Sequence, residues 1–328
     1  GSTGGEWQVL GLARSGREVS DEYYSAVIKF VRENINEKEQ LDAAKSTENV
    51  RVILALTSLG FDVTDVDGHN LLQGLTDMNY LKAQGINGPI WALIAFDSHD
   101  YEIPEATAGA DQVTREKLVN YILQTQLNDG GWALRGNKAD PDMTAIALQA
   151  LAPYYDSSDV KTAVDEALDC LSVIQQPDGG YMSVGIANAE SCAQLVVALT
   201  ALGIDPDSDA RFIKNGNSVL DALLTFAMAE GGFKHTTTSS LVNGTATEQG
   251  YYALVAYDRF INEKTSLYDM SDVEIKTEEP PVPEDKDITL TDVEGTGVTV
   301  TGKESVLNGL ELEANILTSG ELYDKVKE

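Results

Sequence analysis

Along most of the chain apolar positions recur with a helical period, and two kinds of helical segment take turns. Residues 116–127, 162–176 and 218–229 carry an apolar stripe beside a polar face, as helices half open to water do. Residues 142–151, 190–202 and 247–260 are apolar nearly all round and rich in small side chains, as buried helices are. The buried style also occurs at 49–59 and 89–96, after a shorter first helix from Trp7 to Ala13. The alternation predicts two concentric layers, with about six inner and five to six outer helices. No polar capping repeat marks either end, which favours a closed ring over an open solenoid.

Each amphipathic segment runs into the same kind of turn. Asp129-Gly130-Gly131-Trp132 recurs as Asp178-Gly179-Gly180-Tyr181 and as Glu230-Gly231-Gly232-Phe233, a period of about fifty residues. An acidic residue, two glycines and an aromatic predict a tight turn with positive φ, followed by a ring that packs back on the preceding helix.

The period changes near residue 277. Residues 278–287 form an acidic, proline-rich linker. In residues 288–328, Ile288 to Val293, Val298 to Thr301 and Gly309 to Ala314 alternate with period two, as strands do. The predicted organisation is a helical ring over 1–277, the linker, and the start of a small or truncated second domain. The apolar content of 42% supports a real core, and the net charge of -30 argues against nucleic acid and anionic lipid as partners. No apolar run is long enough for a transmembrane helix. The Gly1-Ser2-Thr3-Gly4-Gly5 start reads as a trimmed linker from which a secretion signal has been removed, so an extracellular or cell-surface location is expected. Cys170 and Cys192 read as free buried thiols, and no metal-ligand spacing occurs around His69, His99 or His235. The aspartates at 62, 65 and 67 lack the spacing of a calcium loop and read as a solvated turn.

Tyr121-Ile122, then Gln126, then Gly130-Gly131-Trp132 resembles the QW motif of squalene and oxidosqualene cyclases. A weaker copy has Gln175 before Gly179-Gly180-Tyr181, and in a third Ala227 stands where the glutamine would be, before Gly231-Gly232-Phe233. The resemblance covers roughly residues 6–270 and implies the all-α, α/α-toroid fold of the terpenoid cyclase and protein prenyltransferase superfamily, with a pocket at one end of the ring. In that superfamily the glutamine ties the end of an outer helix to the next turn and the aromatic stacks on it.

The members differ in their chemistry. Terpene cyclases protonate an alkene with an Asp-x-Asp-Asp motif, and the similar stretch here is Asp140-Pro141-Asp142-Met143-Thr144-Ala145. Asp142 matches the proton donor, but Met143 stands where the last aspartate would polarise it. Asp142 reads instead as the cap of an inner helix, with Thr144 in its first turn. No catalytic residue is assigned, and Asp142 is the one candidate. Trp91, Tyr251 and Tyr252 are candidate aromatic walls for a carbocation. The zinc ligands of protein prenyltransferases and the Cys-Gly-Glu-Gln of complement-like thioester domains have no counterpart. The cobalamin carriers transcobalamin and intrinsic factor share the order of helical ring, linker and β-type segment, which implies a corrinoid such as cobalamin as ligand. Polar residues at the inner-helix starts would gather at one mouth of the ring: Glu48, Asn87, Asp142, Thr144, Glu190, Ser191, Thr247 and Glu248.

The expected function is a non-catalytic secreted or cell-surface binding module, of the kind found on Gram-positive bacteria, whose ring mouth takes a small molecule or another protein. One alternative is a corrinoid-binding protein. The other is a terpenoid cyclase or prenyl-compound enzyme with a degenerate Asp-x-Asp-Asp motif.

Overall fold

Six helices of the computed structural model make an inner layer: α1 (Glu6–Arg14), α3 (Thr47–Ser58), α5 (Asn87–Asp97), α7 (Pro141–Leu151), α9 (Ala189–Ala201) and α11 (Gly244–Ile261). Each packs on the next, and α11 returns to α1, so the ring is closed. The outer layer is α2 (Glu22–Asn34), α4 (Met78–Lys82), α6 (Arg115–Gln124), α8 (Ser158–Ile174) and α10 (Val219–Leu224). The structure describes residues 5–20, 22–229 and 231–276, and the backbone of residues 287–290 and 300–303. Among the described residues the α/α toroid read from the alternation is present, with six inner and five outer α-helices. Layer follows composition: α5 is buried from Gly88 to Phe96 and α9 from Ala189 to Thr200, whereas α6 buries only Leu118 and Ile122.

Beside the packing of α11 on α1, one carboxylate links the two ends of the ring. Asp272 accepts from Arg14 Nη1 of α1 at 2.7 Å and from Arg259 Nη2 of α11 at 2.6 Å. Both arginines are 4% exposed. Their remaining donors go to main-chain oxygens and Thr265: Arg14 reaches the carbonyls of Leu267 and Asp269, and Arg259 reaches the carbonyl of Arg14 itself. Burial works to raise the Asp272 carboxyl, but the two guanidiniums overcome it and hold it at about 2.

The repeated turns lock the layers together. Gln126 Nε2 donates to Gly130 O at 2.6 Å and to Ala163 O of α8 at 2.8 Å. Gln175 Nε2 repeats this with Gly179 O at 2.8 Å and Phe212 O at 2.9 Å. Each glutamine thus ties its own outer helix to the next outer element. After α10 no further outer helix follows among the described residues, so a glutamine at Ala227 would have no such partner. The aromatic rings donate back one helix turn inward, Trp132 Nε1 to Ile122 O and Tyr181 OH to Leu171 O. Gly130 has φ 90°, and a Cβ there would lie 2.7 Å from Glu166 O, so a side chain is excluded twice over. Glu230 lies outside the described residues, but Gly231, Gly232 and Phe233 repeat the same turn.

One helix is shorter than its periodicity suggests. α10 ends at Leu224 rather than near 229, because Phe226 and Ala227 bond three residues back and Ala227 then bridges to Phe233. Residues 281–328 are a separate unit. In it β3 (Asp287–Leu290) pairs antiparallel with β4 (Val300–Lys303). The linker before Asp287 and the expected strand at Gly309 to Ala314 lie outside the described residues.

Asp272→Asn leaves two buried guanidiniums short of a counter-charge and is expected to cost about 2–4 kcal/mol, less than a fully buried pair because Asp272 is partly open to water. In the native chain the folded Asp272 titrates below its unfolded value of about 3.9, so its contribution is complete above that pH and is lost as pH falls toward 2. Urea unfolding across this acid range checks both, and equal acid sensitivity of variant and native chain would refute the assignment.

Candidate active site

The inner helices start at one end of the ring. Gln84, just before α5, accepts from the Ser46 hydroxyl and the Thr47 amide at the start of α3. Arg51 of α3 reaches Glu6 of α1 at 3.3 Å and also pairs with Glu48. The starts of α7, α9 and α11 surround a common cavity.

These three starts share a design. Asp140, Asn188 and Asn243 are the N-caps, accepting from the amides of Met143, Ser191 and Ala246 at 3.0, 2.8 and 2.9 Å. Four residues after each cap a side chain grips the aromatic of the preceding turn. Thr144 bonds both the amide and the carbonyl of Trp132, and Thr247 does the same with Phe233. Cys192 holds the corresponding place and hydrogen-bonds the backbone of Tyr181.

The capping residue is therefore Asp140, not Asp142 as the sequence suggested. Asp140 has the extended backbone a cap requires, and Pro141 fixes the first helical position after it. Asp140 Oδ2 also accepts from the hydroxyl of Ser183 at 2.6 Å. That bond fixes the hairpin of β1 (Met182–Ser183) and β2 (Ile186–Ala187) over the start of α7.

Relieved of capping, Asp142 lines a cavity of about 380 Å³ with Ile146, Ile186, Glu190, Gln194 and His235. Its Oδ1 is buried without a hydrogen-bond partner among the described residues. Burial is the main cause that raises its carboxyl to about 6. The Ser191 hydroxyl opposes the rise, the charges of Asp140 and Glu190 add to it, and His235 counteracts them. His235 Nδ1 stands 2.8 Å from both oxygens of Glu190. A carboxyl on a cavity wall that keeps its proton up to about pH 6 can act as a general acid.

A second half-buried carboxyl shows what distinguishes Asp142. Asp97 is also raised by burial, but its Oδ1 accepts from Arg115 at 2.7 Å and its Oδ2 from Tyr154 at 2.8 Å. With both oxygens engaged it is a structural ion pair.

The other expected mouth residues do not converge on the cavity. Of the set named from sequence, only Asp142 and Glu190 line it. Thr144 and Thr247 serve the repeat, and the Ser191 hydroxyl bonds the cap Asn188 at 3.0 Å. Glu48 is engaged by Arg51. Glu248 lines a separate groove with Trp7 and Tyr251. Asn87 opens α5 away from the acid. Trp91 is buried between Trp7 and Tyr268, at 5.0 and 5.8 Å between ring centres, and neither it, Tyr251 nor Tyr252 walls the acid cavity. Sequence reasoning missed Asp140 as the cap, and Ser183, Ile186, Gln194 and His235. A signal existed for two of the cavity residues: Ile146 and Gln194 stand one helical turn after Asp142 and Glu190 and so share their faces.

No family model matches the chain. Over 81 residues it is 37% identical to a drimenyl diphosphate synthase of Streptantibioticus cattleyicolor, a match covering 24% of this chain and 15% of that protein. In fold it is similar to the ent-copalyl diphosphate synthase from Streptomyces platensis, with a TM-score of 0.50 and 19% identity, over 77% of this chain and 50% of that one. The chain thus spans about half the length of that solved protein. The expectation of a non-catalytic binding module is overturned, because both proteins are diphosphate synthases and so enzymes. The terpenoid cyclase-like architecture stands.

Asp142→Asn keeps the shape and removes the buried charge. At pH 8 it is expected to stabilise the fold by roughly 1–3 kcal/mol, because native Asp142 is ionised there against its burial. The folded pKa lies above the unfolded one, so the gain shrinks as pH falls from 6 and vanishes below about 4, where both states are protonated. Thermal unfolding at the two pH values measures it, and a variant less stable at pH 8 would contradict the buried, unpaired carboxyl.

Proposed function

We propose that this chain is a terpenoid-handling enzyme in which Asp142 protonates an alkene of an isoprenoid. The observation that carries the reading is the carboxyl of Asp142 on the cavity wall, raised to about 6, with its Oδ1 buried and without a hydrogen-bond partner among the described residues. Asp142 also stands at the position that resembles the proton donor of terpene cyclases, and the two similar proteins are terpenoid synthases by name.

In the step, the Asp142 O–H bond breaks and a C–H bond forms with the alkene π electrons, leaving a carbocation beside a carboxylate. A neighbouring C–H bond then breaks, its electron pair restores an alkene, and its proton is taken up so that the Asp142 carboxylate returns to the acid, so the net change is an isomerisation or cyclisation. Met143 contributes no charge to this. The groups around Asp142 come instead from the helix cap (Asp140), from α9 (Glu190, Ser191) and from the following turn (His235). Asp140 acts as a positioning residue, since one oxygen sets the start of α7 and the other holds the hairpin. With Asp142 and Glu190 on its wall, the cavity repels a diphosphate. The uncharged alkene end is the part of the substrate it suits. Ile146 and Ile186 supply apolar wall, and the carboxylates supply the negative potential a carbocation needs.

Incubation with farnesyl diphosphate, geranylgeranyl diphosphate and squalene, followed by mass spectrometry, tests the reading. Turnover is expected to fall at least about 100-fold in Asp142→Asn. In the native protein it should decline about tenfold per pH unit above 6, as the acid form is depleted. Turnover indifferent to Asp142→Asn, or no conversion of any of the three, would sink it.

A further inference from the structure

Two cavities meet opposite ends of one hydrogen-bonded set of side chains. The one beside Asp142 is lined by residues in the first half of α7 and α9. The other, of about 510 Å³, is lined by Ile94, Ala150, Val197 and Ala201 from the later turns of α5, α7 and α9, by Tyr268, and at its rim by the Asp97–Arg115 ion pair. Gln149 borders the far cavity, and Gln194 and Gln249 border the near one. Gln149 Nε2 donates to Gln194 Oε1 and to Gln194 O, both at 2.9 Å. Gln194 Nε2 donates in turn to Gln249 Oε1 at 2.9 Å and to the Tyr252 hydroxyl at 2.5 Å. Gln149 and Gln194 are 5% and 3% exposed.

Three helices, α7, α9 and α11, therefore each send an amide into the middle of the ring. Burying amides there is costly, and Gln149 Oε1 has no partner among the described residues. Apolar side chains of similar volume would fill the space without that cost, and the neighbouring lumen does use aromatic rings, Trp7 against Trp91 and Tyr252. What the amides add is direction. A chain of hydrogen bonds holds each side chain across the axis instead of letting it fold along its own helix.

We infer that Gln149, Gln194 and Gln249 form a septum that stops an isoprenoid entering from the mouth, so that its end comes to rest beside Asp142. This deepens the proposed function and rests on it. The depth of the near cavity fixes how much of the chain can pass beyond the acid. With the septum in place the terminal alkene meets Asp142; with it removed the chain slides on toward the far cavity and an internal alkene takes that place.

The septum can be tested apart from turnover. Crystals of the native protein under xenon pressure are expected to show two separate apolar sites, and those of Gln194→Ala one continuous channel. Gln149→Ala opens the layer from the other face and provides a second variant. Two separate sites persisting in both variants overturn the septum and leave the reading of Asp142 untouched. Binding of geraniol, farnesol and geranylgeraniol, read by tryptophan fluorescence, tests the stop. Native affinity is expected to level off along the series, whereas Gln194→Ala should bind the longest alcohol about tenfold more tightly than the native chain, a gain of about 1.4 kcal/mol. Gln194→Leu, which keeps the bulk without the amide, should keep the native length dependence. Native length dependence in Gln194→Ala with its channel open overturns the stop alone. No binding of any alcohol by any of these proteins overturns the stop and the proposed function together.

Discussion

Two buried guanidiniums sharing one carboxylate link the two ends of the ring. Arg14 belongs to the first inner helix and Arg259 to the last, so the contact through Asp272 joins residues about 250 positions apart in the chain. Everything at the ring axis inherits its position from this closure. α11 carries Gln249 and Tyr252 into the centre, and α11 is located by α9 on one side and α1 on the other. An open arc would leave α1 and α11 with unpaired apolar faces and the acid cavity without its third wall. Removing both arginines from water is costly, and it is tolerable because nearly every donor is matched by Asp272, by Thr265 or by a main-chain oxygen.

The repeat does the remaining alignment. Gln126 and Gln175 fix each outer helix to the next, and Thr144, Cys192 and Thr247 clamp each aromatic turn to the following inner helix. Because the same two devices recur, the starts of α7, α9 and α11 arrive at the same level. That is why Asp142, Glu190 and Gln249 can line one cavity although they lie on three helices. Asp140 links the general device to the particular site, being both an ordinary N-cap and the anchor of the hairpin above the acid.

Chemistry and stability oppose each other at Asp142. The fold could have neutralised it as it neutralised Asp97, with a guanidinium on one oxygen and a phenol on the other. Instead one oxygen is buried without a partner among the described residues, and the carboxyl is pushed up to about 6. Local destabilisation of this kind is what the proposed proton transfer would draw on.

The sequence by itself determined the architecture. Helical periodicity separated inner from outer helices, and the turns at 129–132, 178–181 and 231–233 marked the repeat, because both are local properties of neighbouring residues. It also brought Asp142 forward as the one candidate acid. Only the tertiary structure decided what surrounds Asp142. Met143 next to it pointed to a helix cap and a lost activity, whereas its proton affinity is set first by burial, and then by Ser191 and Glu190 on α9, Asp140 at the helix cap and His235 in a loop about ninety residues away. The same holds for Gln149 and Gln194, ordinary residues within two apolar helices until the ring brings them face to face. Burial and charge act through space, and a pattern read along the chain reports the helix a residue belongs to before it reports the neighbours it will meet.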